Sequence, residues 1–164
     1  MLHEFNIAYM INEHAFDVPE GKGTYSLILA LDKDTDITAG SLGVRHFHTG
    51  YYSYTGSARG AGGFARVIRH LAVAAGTNST RHWHIDYLLP HTMPKGLVLS
   101  CADIDIECTI AKAIGHTTRT MNGFGCSDCR CSGHLHYETD FERLFNTVKD
   151  AHKITDTIHK VYSF

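Results

Sequence analysis

Residues 50–70, Gly-Tyr-Tyr-Ser-Tyr-Thr-Gly-Ser-Ala-Arg-Gly-Ala-Gly-Gly-Phe-Ala-Arg-Val-Ile-Arg-His, constrain the fold more than any other stretch. Alternation over residues 51–56 puts Tyr52 and Tyr54 on one face of a strand and Tyr51, Ser53 and Thr55 on the other. Gly60, Gly62 and Gly63 permit the sharp turn that a strand-to-helix junction needs. Over residues 62–75 the helical period separates two stripes: Phe64, Ile68, Leu71 and Ala75 as a core face, with Arg66, Arg69, His70 and Val73 on the other side. The second stripe is mainly basic. It stands beside a helix N-terminus, where amide groups and the helix dipole favour a phosphate.

A strand is expected over 24–31, after the turn signal of residues 19–23. Tyr25, Leu27, Leu29 and Leu31 fall on one face and Ile28 and Ala30 on the other, which suits a strand central in its sheet. Residues 32–36 carry three carboxylates at alternate positions but lack the glycine and closing glutamate of a calcium loop, so they read as a solvated hairpin turn. Residues 37–47, interrupted by Gly40 and Gly43, supply another strand. Beyond the first helix, residues 81–89 suit a short helix or a strand, stopped by Pro90, with His82, His84 and Asp86 at alternate positions.

Residues 96–102 read as a strand, and Asp103 is a good N-cap for a helix running to Ile114 and closed by Gly115. On that helix Ile104, Glu107, Cys108, Ala111 and Ile114 share one stripe. A carboxylate on an apolar face requires a cation or a donor, because burying it unpaired costs several kcal/mol. A salt bridge to an arginine of the first helix is one way to meet that need. Phe141, Leu144, Phe145 and Val148 mark an amphipathic helix behind a cap at Thr139 or Asp140, serving as core cover or a subunit contact, and 154–162 extend it or form a tail. Residues 1–21 show no clear period and suit a short helix or strand packed on the domain.

A chain of 164 residues, 43% hydrophobic and 20% charged, is one ordinary globular domain with a real core, which excludes disorder. Its formal net charge of −2 means that any contact with nucleic acid must come from a local basic patch. Thirteen histidines add positive charge only below about pH 6.5. Five cysteines, an odd number with three of them in Cys126, Cys129 and Cys131, argue against a disulfide framework and for a reducing, cytoplasmic location. No apolar run approaches the roughly 20 residues of a membrane span, and no basic-then-apolar signal pattern opens the chain.

Gly23-Thr24-Tyr25, then Tyr54-Thr55-Gly56-Ser57-Ala58, then Arg66 followed four residues on by His70, resemble the GIY-YIG nuclease superfamily in their order and spacing. The tracts 83–88, 123–125 and 134–135 look like an archaeal-type branch of it, a domain of unknown function sometimes fused to a DNA-repair glycosylase. The resemblance covers roughly residues 23–137. It implies an α/β (α+β) fold with a small, three-stranded, mostly antiparallel sheet flanked by helices. The implied organisation is an N-terminal extension over 1–22, the GIY-YIG-like domain over 23–138, and a C-terminal helix or tail over 139–164.

The resemblance also implies an activity: metal-dependent cleavage of phosphodiester bonds in nucleic acid, DNA ahead of RNA, in repair or processing. Tyr54 would be the general base, its phenol lowered by cations such as Arg66 and the metal. Tyr25 would orient Tyr54 or the water. Arg66 would hold the phosphate, and Glu107 one Mg²⁺ or Mn²⁺. His70 and His84 would touch the phosphate or shuttle a proton, with Asn122 in support. Arg59, Arg69, Arg81 and His134 are the candidate nucleic-acid contacts.

Each residue has a plainer reading beside this one. The tyrosines suit half-buried strand positions, Arg66 and Arg69 a solvated helix face, His84 a packed connector, and Asn122-Gly123 a turn. Cys126, Cys129, Cys131, His134 and His136 have the ligand types for zinc, yet all five fall within eleven residues and some must point apart. Reduced, packed cysteines with His134 in a nucleic-acid groove are the preferred reading there, and zinc the alternative. Two other functions remain open: a nucleic-acid-binding module that does not cut, and a zinc-stabilised adaptor for protein contact.

Overall fold

A computed structural model describes residues 17–164. The expected features of residues 1–16 lie outside the described part. The strands are β1 (Thr24–Leu31), β2 (Thr35–Thr38), β3 (Val44–Phe47), β4 (Gly50–Ser57), β5 (Met93–Cys101), β6 (Arg119–Thr120), β7 (Leu135–Glu138) and β8 (Ile158–Ser163). The α-helices are α1 (Ala65–Ala74), α2 (Ile85–Leu88), α3 (Glu107–Gly115) and α4 (Phe141–Lys153). Six strands form one sheet in the order β6-β7-β4-β1-β5-β8, every neighbouring pair antiparallel.

The class is the expected mixed α/β one, but the sheet has six strands rather than three. Residues 37–47 do not join it. The 3₁₀ turn Gly40–Leu42 breaks that segment, so β2 and β3 pair with each other as a separate hairpin. Residues 154–162 form neither a helix extension nor a free tail, because β8 pairs along β5 from Cys101–Ile158 to Gly96–Ser163. Short or weakly patterned strands such as Leu135–Glu138 carry little local signal, and pairing with a neighbour is what extends them.

The sheet separates two cores. Alternation in β1 sends Tyr25, Leu27, Leu29 and Leu31 to a first face, where they meet Tyr52 and Tyr54 of β4, Leu97 and Leu99 of β5, and Leu135 of β7. Phe64, Val67 and Leu71 of the α1 region, Ile85 and Leu88 of α2, and Phe47 of the hairpin cover this face. The second face carries Ile28 and Val98 and is closed by Ile110 and Ile114 of α3 and Leu144, Phe145 and Val148 of α4. A polar line crosses this second side. His152 lies 2.7 Å from the Ser100 hydroxyl and 2.9 Å from that of Ser26, which in turn lies 2.8 Å from that of Thr55.

Two helices differ from their sequence expectation. In α1 the buried side chains are Val67, His70, Leu71 and Val73, so His70 belongs to the inner face and not to a basic outer stripe. Helix α3 starts at Glu107, with Ile106 at its N-cap and no side-chain cap. Asp103 is occupied elsewhere, 3.5 Å from Lys22 and 3.2 Å from Arg59. Ile104 is consequently exposed, and Glu107 sits in the first turn rather than midway along an apolar stripe. Helix α4 follows its expectation, with Asp140 accepting from the Arg143 amide at 2.7 Å.

Candidate active site beside a thiol cluster

The β1–β4 register sets two phenols side by side. Tyr25 stands opposite Gly56 and Leu27 opposite Tyr54, so both phenols rise from the first face, with ring centroids 6.3 Å apart. A Cβ on Gly56 would collide with the hydroxyl and ring of Tyr25. Gly125, at φ +74°, has its Cβ position 2.8 Å from Tyr54 Cε2. Two backbone positions without side chains therefore fix where the rings lie.

Behind Tyr25 runs a buried chain of polar groups. The Tyr25 hydroxyl is 2.7 Å from His70 Nε2, and His70 Nδ1 is 3.5 Å from Asp86 Oδ1, short of hydrogen-bond geometry. Asp86 accepts two hydrogen bonds from Arg69, at 2.9 and 2.8 Å, and two from the amides of His82 and Trp83, at 2.7 and 3.1 Å. Burial works against its charge, but His70, Arg69 and the two amides outweigh burial and hold the carboxyl far below its usual range. Burial lowers the pKa of His70, and the nearby Asp86 restores only part of it. The neutral imidazole is therefore favoured, and in the tautomer that turns Nδ1–H toward Asp86 its Nε2 accepts from the Tyr25 phenol.

Burial pushes both phenols up. Tyr54 adds to the effect on Tyr25, Glu107 adds to the effect on Tyr54, and Arg66 offsets only part of either. Arg66 does act to lower the Tyr54 phenol, as expected, but its pull is too small to bring that phenol below its usual range. Desolvation of two neighbouring phenols exceeds the attraction of one guanidinium.

Arg66 is fixed from two sides. Its Nη1 donates to the Ser57 carbonyl at 2.7 Å, and its guanidinium carbon lies 4.6 Å from the Trp83 ring centroid. Arg69 stacks on the same ring at 4.7 Å. Tyr25, Tyr54, Arg66, Trp83, His84 and Glu107 all line one open cleft of about 220 Å³, together with Ser127 and Asp128. His84 Nε2 is 3.1 Å from the Ser41 hydroxyl.

Glu107 reaches this cleft from a helix whose body covers the opposite face of the sheet. As the first residue of α3, it stands beyond the sheet end where β1 begins and β4 finishes. Its Oε1 is 2.7 Å from His134 Nδ1, an ion-pair distance without the direction of a hydrogen bond. Burial acts to lower the pKa of His134, and its contacts with Glu107 and Cys131 outweigh that and raise it. The other ring nitrogen, Nε2, lies 3.8 Å from Cys108 Sγ and 3.5 Å from Cys129 Sγ. With Cys131, these ligand atoms all fall within 4.8 Å of one another, and all five cysteines are free.

A family model described as a domain of unknown function, DUF123, matches residues 24–157. The chain belongs to the DUF123 family. No curated protein and no solved structure matches it. The DUF123 match runs from the first residue of β1 to the turn before β8, and so takes in both walls of the cleft and the thiol cluster. Among the described residues, no helix of this DUF123 domain is long and apolar enough to cross a membrane.

The DUF123 fold brings together most of the candidate catalytic residues. Tyr25, Tyr54, Arg66, His84 and Glu107 line the cleft, and His70 lies beneath it against Tyr25. Asn122 is exposed in a turn and is not among the lining residues. Arg59 faces Asp103 and Asp105, at 3.2 and 3.6 Å, Arg69 grips Asp86, and Arg81 donates to the Thr80 carbonyl. His134 is buried among thiols rather than facing a groove. Cys126 and His136 stand outside the four-ligand group, which takes in Cys108 instead. Sequence reasoning missed Cys108, Asp86 and Trp83 as parts of the site. The available signal for Cys108 was its place beside the candidate acid Glu107.

Proposed function

We propose that this protein is a metal-dependent endonuclease of the GIY-YIG type, hydrolysing phosphodiester bonds in nucleic acid, DNA ahead of RNA. Tyr25, Tyr54, Arg66 and Glu107 come from four separate elements and meet in one open cleft, and that meeting carries the proposal. Packing alone accounts for each side chain singly but not for their convergence.

Glu107 is the residue to hold Mg²⁺ or Mn²⁺. His134 engages Oε1 and leaves Oε2 for a cation, and a single carboxylate with waters and substrate oxygens is a common way of binding Mg²⁺. A bound cation would supply positive charge for the phosphoryl oxygens and the departing alkoxide. Arg66 holds the phosphate. Its guanidinium is already set by Ser57 and Trp83, so little ordering is left to do on binding.

Neither phenol is an anion in this environment, and the chemistry does not need one. The Tyr25 oxygen takes a proton from the attacking water while its own proton passes to the neutral Nε2 of His70. Asp86, 3.5 Å from Nδ1, favours the imidazolium that results. Tyr54, beside Tyr25, orients the water, so the general-base role shifts from Tyr54 to the Tyr25–His70 pair.

The test is cleavage of supercoiled, branched, single-stranded and damaged DNA, and of RNA, in Mg²⁺ or Mn²⁺. Nicking that chelation stops, and that Glu107→Gln and Arg66→Lys each reduce at least about 10²-fold, supports the proposal. Salt-dependent binding of these substrates without cutting would replace it with a non-catalytic binding module.

A further inference from the structure

The thiol cluster behind Glu107 is built from separated parts of the chain, and its four ligand atoms all lie within 4.8 Å of one another. Cys108 lies in the first turn of α3, whereas Cys129, Cys131 and His134 come from the loop that precedes β7. A tetrahedral Zn²⁺ with Zn–S near 2.3 Å and Zn–N near 2.0–2.1 Å requires its ligand atoms to stand about 3.6 Å apart for sulfur to nitrogen and about 3.8 Å for sulfur to sulfur. The observed distances from His134 Nε2 are 3.5 Å to Cys129 Sγ and 3.8 Å to Cys108 Sγ.

We infer that Cys108, Cys129, Cys131 and His134 bind one structural Zn²⁺. Four protein ligands of the Cys₃His type fill a tetrahedral shell and leave no position for water, so the ion is not the hydrolytic one. Three soft thiolates favour zinc over the hard Mg²⁺ or Mn²⁺ of the cleft. The imidazole presents Nε2 to the thiols, and its Nδ1 lies 2.7 Å from Glu107 Oε1. A carboxylate behind a metal-bound imidazole sets the ring's tautomer and orientation.

This arrangement gives the metal a definite task. It ties the loop carrying Gly125, Ser127 and Asp128 to the start of α3, so one ion braces a cleft wall and the helix end that presents Glu107. Glu107 stands between two sites, with one oxygen toward the zinc-binding histidine and the other available to the cleft. The zinc proposal stands apart from the nuclease proposal and survives its failure.

Metal analysis of the full chain purified without a histidine tag should find one zinc per chain. After removal under reducing conditions, Co²⁺ should restore a tetrahedral visible spectrum with thiolate-to-cobalt charge-transfer bands. Cys108→Ser and Cys129→Ser should lose the zinc or distort that spectrum, while Cys126→Ser and His136→Asn should keep both. Glu107→Gln should retain the ion with affinity lowered by about 10-fold or more. Protein that contains no zinc and gives no tetrahedral Co²⁺ spectrum would overturn the proposal. So would iron as the only retained metal, or loss of zinc on Cys126→Ser with retention on Cys108→Ser. The wild-type readings decide the matter even where a variant fails to fold.

Discussion

At the scale of single residues, the cleft depends on what Tyr25 touches. Its hydroxyl is buried against His70 Nε2, and its ring occupies the space above Gly56. Tyr25→Phe should leave the Nε2 acceptor of His70 without a partner, lowering stability by about 1–3 kcal/mol in urea titrations. The same change should reduce cleavage by about 10²–10⁴-fold in single-turnover assays, with cation affinity retained. Gly56→Ala should push Tyr25 off its position and destabilise by about 1–3 kcal/mol, measured the same way. The tyrosines, the arginine and the acid were legible in the sequence because their types and order stand out. The groups packed against them, Asp86 beside His70 and His134 beside Glu107, were not, since each lies well away along the chain and lacks local pattern.

At the scale of elements, boundaries followed tertiary partners more than local codes. The Asp140 cap of α4 acts as its sequence suggests, and Asp140→Ala should lower the urea midpoint by an amount equivalent to about 1 kcal/mol. The equally good cap residue Asp103 makes ion pairs with Lys22 and Arg59 instead, and α3 begins four residues later. That displacement brings Glu107 to the helix start and out to the cleft. Helix α1 shows the converse case. Its periodicity was clear, but the expected basic stripe divides: His70 and Val73 are buried, with Tyr25 as partner for His70, while Arg66 and Arg69 stay partly exposed.

At the scale of the whole molecule, the second core holds a titratable group that should set acid stability. His152 is buried against Ser100 and Ser26, and burial, with a smaller contribution from His159, pulls its pKa down to about 3. In the unfolded chain the same group titrates near 6.5, so between about pH 6.5 and 3 the unfolded state binds the extra proton. The stabilisation is present above about pH 6.5 and is lost as the pH falls towards 3. Urea midpoints measured across that range should decline with acid, and His152→Gln should flatten the decline. By itself, the sequence determined the alternating faces of β1 and β4, the glycine turn into α1, the amphipathic α4 and, through their types and order, the candidates Tyr25, Tyr54, Arg66, His84 and Glu107 that line the cleft, because each of these is written in neighbours a few positions apart. Only the tertiary structure decided that the sheet has six strands, that Cys108 joins Cys129, Cys131 and His134, and that an acid on a helix behind the sheet reaches the phenols in front of it. Those outcomes rest on contacts between segments far apart in the chain, which local pattern does not encode.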